Sequence, residues 1–463
     1  MIIRLLIALI AVVPLNTVCQ INLQAVQNQH ASNTAASYFP SMLGDDCKFF
    51  ELDLFNVYAS AGNSLFSLYD IEQIGSTAGN EQSYLNRKLD KSRKRNTLYF
   101  GTDLNLLNTA IKIPLKNNSN IRAGFGIRQR NEFQFTLDRN MLSLLLNGNK
   151  RFEAQSINLL PSINFLSLMD YHFTGAFEYS SSRLGGRKLT TAITLHRLTG
   201  LANLNSRDSK LEFYTAPDGR YIELNTQVEI NTASIDGSGE NSSIGIGDSP
   251  LTDVLKKGCG KGWGIDVGGS LELNNQVQLH VALIDLGYIR FNETSTRYSG
   301  NESLRFEGAE VEGIYNPSIS SDFEGDSLAE ILELTESTGE YVIGMPTKLL
   351  ICGQWQSQKI EKHRVPYSRH TVSACVVQGF KNYLSASPIP ALNVGYTLSA
   401  GNIFNIGINT SVGGLYGGIA GGGFISLRGS VMKLTIGSNN LAPLLFTRAG
   451  RFVDGYLGLS ILY

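Results

Sequence analysis

Charged residues are scarce in this sequence: Asp, Glu, Lys and Arg make up 17% of its 463 residues. The two signs nearly cancel, with a formal net charge of −1, so the basic stripe of a nucleic-acid-binding protein is missing. After residue 19, no run approaches the ~18 apolar residues that a membrane helix requires. The composition therefore argues against a nucleic-acid partner and against a helical membrane protein.

Motifs for catalysis and cofactor binding are also missing. The six histidines are scattered without a His-Glu-x-x-His spacing, and no Gly-x-Ser-x-Gly occurs. The glycine-rich residues 258–264 look like a phosphate-binding loop, but a predicted strand follows them instead of the helix that would hold the phosphate. The sequence predicts no enzyme active site, no metal site and no cofactor. A catalytic triad assembled from distant residues stays an alternative.

The five cysteines form no Cys-x-x-Cys pair, so redox and zinc motifs are absent. Four of them follow residue 19: Cys47, Cys259, Cys352 and Cys375. Cys352 and Cys375 fall in predicted strands, where we expect ordinary wall residues. A disulfide is permitted outside the cytoplasm, but its pairing cannot be assigned from the sequence.

Residues 1–19 have the pattern of a secretory signal peptide. A single cation, Arg4, precedes an apolar run at 5–13 that is too short to span a bilayer. Cleavage is expected after Cys19. The alternative is a lipoprotein acylated on Cys19, but the residues before it lack the small residue that normally precedes a lipidated cysteine.

Alternation of apolar and polar residues is the strongest pattern in the rest of the chain. Trp263 and Val267 fall on one face of the segment 262–273, and Asp266 and Glu272 fall on the other. A strand of a membrane barrel turns its apolar face to lipid and its polar face to the interior. Around Ile284 the alternation slips by one residue, which predicts a β-bulge.

The same test predicts about fourteen strands, near residues 48–58, 97–115, 120–137, 168–180, 187–198, 262–273, 276–291, 347–357, 367–378, 391–399, 402–412, 416–427, 429–438 and 452–463. Short connections alternate with long ones, the pattern of outer-membrane barrels whose short turns are periplasmic. The predicted fold is all-β: a transmembrane antiparallel β-barrel over residues 48–463. An N-terminal hatch is expected at 20–47, helices at 140–146 and 326–334, and a hairpin at 208–231.

The last predicted strand ends at Tyr463 without a polar tail. An open apolar edge invites aggregation, whereas a closed barrel pairs its last strand with its first. Residues 452–463 should therefore pair with 48–58. A terminal aromatic residue also resembles the signal by which the barrel assembly machinery recognises outer-membrane proteins, so Tyr463 is expected to act in assembly.

Four segments have a distinctive order along the chain: residues 185–203, Gly-Trp-Gly-Ile-Asp-Val-Gly at 262–268, 283–289 and Gly-Met-Pro-Thr-Lys at 344–348. Together they resemble one Bacteroidota outer-membrane family, domain of unknown function 5723, which looks related to long-chain fatty-acid transporters and type IX secretion barrels. The resemblance implies a barrel in the outer membrane. The hatch departs from the related pattern, because Tyr-Phe-Pro-Ser at 38–41 replaces Asn-Pro-Ala.

Candidate functional positions follow from the strand pattern. Four charged residues are expected to line the lumen: Arg122, Arg128, Asp266 and Glu272. Seven of the eleven residues from 413 to 423 are glycine, which predicts either a tight turn or a kinked wall with a lateral opening; these are Gly413, Gly414, Gly417, Gly418, Gly421, Gly422 and Gly423. The basic run at 87–95 is expected to be a solvated loop, with lipopolysaccharide phosphates as the alternative partner.

The sequence favours a passive outer-membrane channel for small apolar molecules, in contact with outer-membrane lipids. The alternative is a barrel that docks a protein partner on the long loops at 199–261 and 292–346. A continuous apolar path would favour transport, and a sealed lumen would favour docking.

Overall fold

The computed structural model describes residues 32–45, 49–76, 81–115, 119–159, 161–180, 187–206, 209–217, 220–234, 258–307, 334–360, 367–401, 403–415, 419–441 and 451–462. Several predictions fall outside these residues. They are the signal peptide, hatch residues 20–31 and 46–47, almost all of the helix at 326–334, Gly417, Gly418 and Tyr463.

Fourteen antiparallel strands form a closed barrel in which each strand pairs with its neighbours in the sequence. They are β1 Phe50–Asn63, β2 Arg95–Pro114, β3 Asn120–Asp138, β4 Ser162–Ser180, β5 Lys188–Asn205, β6 Gly260–Glu272, β7 Val277–Phe291, β8 Lys348–Gln356, β9 His370–Gly379, β10 Ala391–Ala400, β11 Phe404–Gly413, β12 Ile419–Arg428, β13 Met432–Ser438 and β14 Phe452–Leu462. The predicted fold class and strand number are confirmed.

The barrel closes between its first and last strands. β14 pairs with β1 from Leu462 opposite Glu51 to Phe452 opposite Gly62. The predicted pairing of the two terminal segments is thereby confirmed. The bulge in β7 is confirmed as well, because the register with β6 shifts between Leu283 and Leu286.

Three strands run further towards the long loops than the alternation predicts. β1 continues to Asn63, β4 begins at Ser162 and β5 continues to Asn205. Their extra residues lie beyond the region where one face is apolar, and there Leu166 and Leu168 are buried in a loop-end core. Inside–outside alternation therefore fades although the strand pairing continues.

The barrel wall has an apolar outer surface and a polar inner one. Phe173, Trp263 and Ile408 point outward with exposed fractions of 54%, 55% and 63%. On the inner face, Asp170, Asn393 and Asn405 are completely buried. This distribution of polar and apolar residues is the reverse of that in a soluble protein. It is stable where lipid replaces water around the barrel, because the closed sheet satisfies its own backbone hydrogen bonds.

Short helices and additional strands occupy the connections. The helices are α1 Ser32–Ala36, α2 Leu68–Ser76, α3 Glu81–Asp90 and α4 Arg139–Asn147, with 3₁₀ turns at Pro40–Met42 and Lys150–Phe152. The additional strands are Ser156–Asn158, Lys210–Thr215, Tyr221–Ala233, Thr296–Gly300, Ser303–Glu307, Thr335–Thr338, Tyr341–Gly344, Lys359–Ile360 and Tyr367–Ser368. The helix at 140–146 and the hairpin at 208–231 are confirmed.

No helix among the described residues is long and apolar enough to cross a membrane.

The expectation that Cys352 and Cys375 are ordinary wall residues is wrong. They are opposite each other on β8 and β9 and form a disulfide. Both are completely buried on the inner face, in one cluster with Phe39 and Met42 of the N-terminal segment. Cys259 is a buried free thiol.

Candidate functional site

The N-terminal segment 32–45, called the plug below, lies inside the barrel. Phe39 and Leu43 are almost completely buried. Ser41 Oγ is 2.5 Å from Ser270 Oγ on β6, and Arg122 on β3 donates to the Leu43 carbonyl at 3.1 Å. Arg122 also forms ion pairs with Asp45 of the plug and Glu178 on β4. The plug is thus fixed by both apolar and ionic contacts.

Charged side chains fill the lumen beside the plug. We call Asp103, Arg128, Asp170, His172, His196 and Asp266 the inner cluster. Arg128 Nη2 donates to Asp170 Oδ2 at 2.7 Å, and His196 Nδ1 is 2.8 Å from Asp170 Oδ1. His196 Nε2 lies 3.0 Å from Asp266 Oδ2. The cluster joins strands β2 to β6 across the interior.

A second group of charges, called the upper cluster, lies nearer the long loops. Arg130 Nη1 donates to Asp285 Oδ1 at 2.5 Å, and Lys348 Nζ donates to Asp285 Oδ2 at 3.3 Å. Arg130 also pairs with Glu132 at 2.8 Å, and Glu132 accepts the backbone N–H of Ser385. The connection between β9 and β10 is therefore held inside the barrel.

A vestibule opens above the upper cluster at the long-loop end. Its cavity of about 760 Å³ is lined by polar residues such as Asn164 and Asn205 and by apolar ones such as Met345, Phe380 and Tyr383. Below it, the cavity between the plug and the wall at the upper cluster has a volume of only about 40 Å³. At this level the plug and the wall are therefore closely packed.

The strand pairing of the wall is interrupted between β12 and β14. β13 ends at Ser438, so among the described residues the first part of β14 pairs with β1 alone. Residues 439–441 run beside β12 instead. Leu441 N donates to the Gly421 carbonyl at 2.7 Å. This break leaves a groove of about 1040 Å³ on the barrel surface, called the side groove below.

The side groove has apolar sides, and at its base it meets side chains that point into the barrel. Its sides are formed by outward-facing residues: Val57, Ile406, Ile408, Ile425, Ile436, Leu441 and Leu457. At its base it reaches Asn409, Asp454 and Tyr456, which are buried and point into the barrel. An apolar molecule in the groove would thus be separated from the interior by only a few side chains.

Asp454 holds the wall at this point. Its carboxylate accepts hydrogen bonds from Ser438 Oγ at 3.0 Å, from Asn439 N at 2.7 Å and from Tyr58 Oη at 3.1 Å. These bonds fold the end of β13 inward. Charge-assisted hydrogen bonds of this kind contribute about 1.5–3 kcal/mol each, so Asp454 keeps residues 438–440 in place.

Glycines shape the groove in two ways. A Cβ on Gly422 would overlap the Ser438 carbonyl, and one on Gly437 would meet Phe424 and Tyr456. These glycines permit a close approach of the backbone. By contrast, a Cβ added to Gly421 or to Gly455 would lie 3.8 Å and 3.9 Å from its nearest neighbour, so both positions tolerate larger side chains that would fill the groove.

The predicted site residues lie in four different places. Arg122, Arg128 and Asp266 are buried inside the barrel, whereas Glu272 is half-buried at the short-turn end and accepts from Gln278 at 3.3 Å. Gly413 and Gly414 have positive φ values of 92° and 71° and form a tight turn. Gly421, Gly422 and Gly423 line the side groove.

Sequence reasoning missed the inner-cluster histidines and Asp454. The histidines are scattered along the sequence, but His172 and His196 are opposite each other on β4 and β5. The basic run at 87–95 is also more structured than a solvated loop. Lys88 lies on α3 and pairs with Asp70 at 2.7 Å, and Arg93 donates to the Leu415 carbonyl at 2.8 Å.

A closed fourteen-stranded barrel with an apolar surface and a polar, plugged interior has the architecture of an outer-membrane β-barrel protein. The chain belongs to a family of unknown function, DUF5723, whose model matches residues 40–439. The resemblance of the sequence to domain of unknown function 5723 is thus confirmed. No curated protein matches the chain.

Similar solved structures include the P. putida toluene transporter TodX, at 9% identity and TM-score 0.39, covering 93% of this chain and 92% of that one. The Ralstonia pickettii toluene transporter TbuX is 10% identical with TM-score 0.39, covering 93% of each chain. The translocator domain of the autotransporter NalP from Neisseria meningitidis is 8% identical with TM-score 0.29, covering 95% and 99%. These values are too low to support an argument about function.

Proposed function

We propose that this protein is a passive outer-membrane channel for small apolar molecules that releases them sideways into the bilayer. The observation that carries the proposal is the side groove, where β13 ends early and an apolar surface reaches the inward-facing Asp454 and Tyr456. In this orientation the long loops are extracellular and the short turns periplasmic.

The filled lumen supports a lateral route over an axial one. A solute moving along the axis would have to separate the ion pairs of Arg128 and Arg130, and an orphaned buried charge costs about 3–5 kcal/mol. A lateral route instead requires residues 438–440 to leave Asp454. The vestibule would collect the solute, and the side groove would deliver it to lipid.

The test fills the groove without touching the plug. Gly421→Phe and Gly455→Phe place aromatic rings on its floor, where a Cβ meets no atom closer than 3.8 Å. Gly175→Phe on β4 is the matched control, because its Cβ would have no neighbour within 4 Å. Uptake of a radiolabelled monoaromatic hydrocarbon is measured in outer-membrane vesicles, with barrel levels equalised by heat-modified gel migration.

We expect both groove variants to reduce uptake about tenfold or more, towards the level of vesicles without the barrel, and the control to transport normally. Equal uptake by all three variants would contradict release through the groove. Equal loss in all three would show that any bulky outward residue impairs the barrel, and would also remove the support for the lateral route.

The second candidate function is docking of a protein partner, as in type IX secretion barrels. The sealed axis favours it, together with the paired strands Lys210–Thr215 and Tyr221–Ala233 in a long connection. Mass spectrometry of the barrel purified from outer membranes distinguishes the two. A single stoichiometric protein without bound lipid would favour docking, and bound apolar molecules would favour transport. Contacts with lipopolysaccharide and with the barrel assembly machinery are proposed for either function.

A further inference from the structure

We infer that the inner cluster is a binding site for one divalent transition-metal ion of the zinc type, held by Asp170, His172 and His196. The three side chains are buried, and their ligand atoms lie within 4.8 Å of one another. Two imidazole nitrogens and a carboxylate oxygen are a ligand set that suits Zn²⁺. This inference does not depend on the transport proposal.

One of the two histidines carries a nitrogen without a hydrogen bond to any described residue. His172 Nδ1 is buried and has no hydrogen-bond partner in this part of the chain. A buried polar atom without a partner costs about 1–3 kcal/mol. His172 Nδ1 faces Asp170 Oδ1 at 4.0 Å, whereas His196 Nε2 is already paired with Asp266 Oδ2 at 3.0 Å. A cation between His172 and Asp170 would satisfy the free nitrogen.

Two aspartates, Asp170 and Asp266, are each held by a hydrogen bond to one carboxylate oxygen, which leaves the other oxygen facing a histidine. Arg128 binds Asp170 through Oδ2, at 2.7 Å and 3.2 Å, and leaves Oδ1 towards the two histidines. Asp285 N donates to Asp266 Oδ1 at 2.7 Å and leaves Oδ2 towards His196. Such contacts orient the ligands of a metal site. Asp266 supports the site from the other side, because its Oδ2 lies 3.0 Å from His196 Nε2 and orients the imidazole.

The distances are compatible with a metal after small adjustments. Two ligands on a tetrahedral Zn²⁺ at 2.0–2.1 Å are separated by about 3.3 Å. The two distances from Asp170 Oδ1, 2.8 Å to His196 Nδ1 and 4.0 Å to His172 Nδ1, bracket that value. Beside the histidines is a cavity of about 10 Å³, the size of one water molecule or one bare ion.

The charge of the inner cluster also favours a divalent cation. Asp103, Asp170 and Asp266 oppose one cation, Arg128, when both histidines are neutral. The neighbouring upper cluster is balanced by itself, with Arg130 and Lys348 opposing Glu132 and Asp285. The inner cluster therefore has a surplus of two negative charges, which one divalent ion neutralises.

The backbone makes room for the His172 ring. On β3, a Cβ at Gly126 would overlap His172 Nε2, so the imidazole packs directly against the glycine. Its ring centroid lies 5.7 Å from that of His196. The plug residues Ala36, Ser37 and Leu43 cover the same cavity, so the ion would be shielded from water beneath the plug.

The test uses the full chain purified in detergent, stripped with a chelator and dialysed. Zn²⁺ content is measured by mass spectrometry after equilibration, and Co²⁺ is titrated as a spectroscopic probe. The variants are His172→Gln and His196→Gln. His280→Gln is the matched control, because His280 is equally buried on the inner face of β7 but does not belong to the ligand group, and its Nδ1 is 2.7 Å from Ser270 Oγ.

We expect about one Zn²⁺ per chain and tetrahedral Co²⁺ absorption bands in the wild type. Loss of a ligand should weaken binding by at least about tenfold, whereas the His280 variant should bind normally. A folded wild type that takes up no Zn²⁺ and gives no Co²⁺ bands would overturn the inference, leaving a protonated His196 as the cation. Equal loss in the control would overturn it too. If a ligand variant fails to fold, the wild-type Co²⁺ spectrum decides.

Discussion

Removal of Lys433 should destabilise the barrel seam. Lys433 on β13 donates to Glu51 on β1 at 2.7 Å, across the inner face of β14. Both side chains are buried, with exposed fractions of 4% and 0%, and Asp53 lies in the same region with a hydrogen bond from Ser460. In Lys433→Met, two buried carboxylates stay without this cation, while the side-chain volume changes little.

The expected cost is about 3–5 kcal/mol, the usual penalty for removing one partner of a buried pair. It corresponds to a decrease of about 10²- to 10⁴-fold in the ratio of folded to unfolded protein. Adding Glu51→Gln to this variant should recover most of the lost free energy of unfolding. The net charge at positions 51, 53 and 433 is then the same as in the wild type. The assay is equilibrium unfolding in urea with detergent, followed by tryptophan fluorescence.

The exposed pair Arg151–Asp90 provides the control. Its atoms are 3.3 Å apart, but the side chains are 54% and 62% exposed. Arg151→Met should therefore cost no more than about 1 kcal/mol. If Lys433→Met costs as little as this control, or if Glu51→Gln does not rescue it, the argument that burial makes this pair essential to the seam is refuted.

Two further predictions concern the ends and the loops. Deletion of Tyr463 should lower the amount of barrel in the outer membrane more than it changes uptake per barrel, and normal levels by immunoblot would contradict its role in assembly. Burial raises the pKa of Asp70, but hydrogen bonds from Lys88, Ser67 and Tyr84 outweigh burial and hold that pKa below its ordinary value. Asp70 therefore stabilises α2 and α3 above about pH 4. This contribution is lost as the pH falls through the lowered value, so hydrogen exchange in α2 should accelerate there, and Asp70→Asn should abolish the dependence.

The wall was predictable because its signal is local. Each membrane strand alternates between lipid and interior, as at Trp263 and Asp266, and the pattern survives without knowledge of its neighbours. The extensions of β4 and β5 were not predictable, since beyond the bilayer both faces are covered by protein. The predicted end of β13 at residue 438 is confirmed, but its hydrogen bonds to Asp454 were not predictable, because Asp454 comes later in the chain.

The contacts inside the lumen depend on register, and only some of them could be predicted. The connection predicted at 181–187 is centred on residue 184, and His172 and His196 lie twelve residues on either side of it. The pairing of the two histidines could thus have been predicted from the hairpin. The connection between the segments 347–357 and 367–378 is centred on 362, which does not place Cys352 opposite Cys375. The observed register depends on the small hairpin at Lys359–Ile360 and Tyr367–Ser368.

The two functions proposed for this barrel differ in what the wall must do. Docking requires no movement, and the ionic interior is then simply a rigid support for the loops. Transport requires an opening, and the ion pairs and hydrogen bonds inside the barrel determine where it forms. Breaking the ion pairs along the axis would leave several buried charges unpaired, at about 3–5 kcal/mol each. Freeing residues 438–440 instead breaks their hydrogen bonds to one carboxylate, Asp454, and those of the Asn440 side chain with Phe452 and Gly421. The same ion pairs that close the axis therefore direct any opening to the side groove, and a bulky residue at Gly421 is the change that separates the two functions.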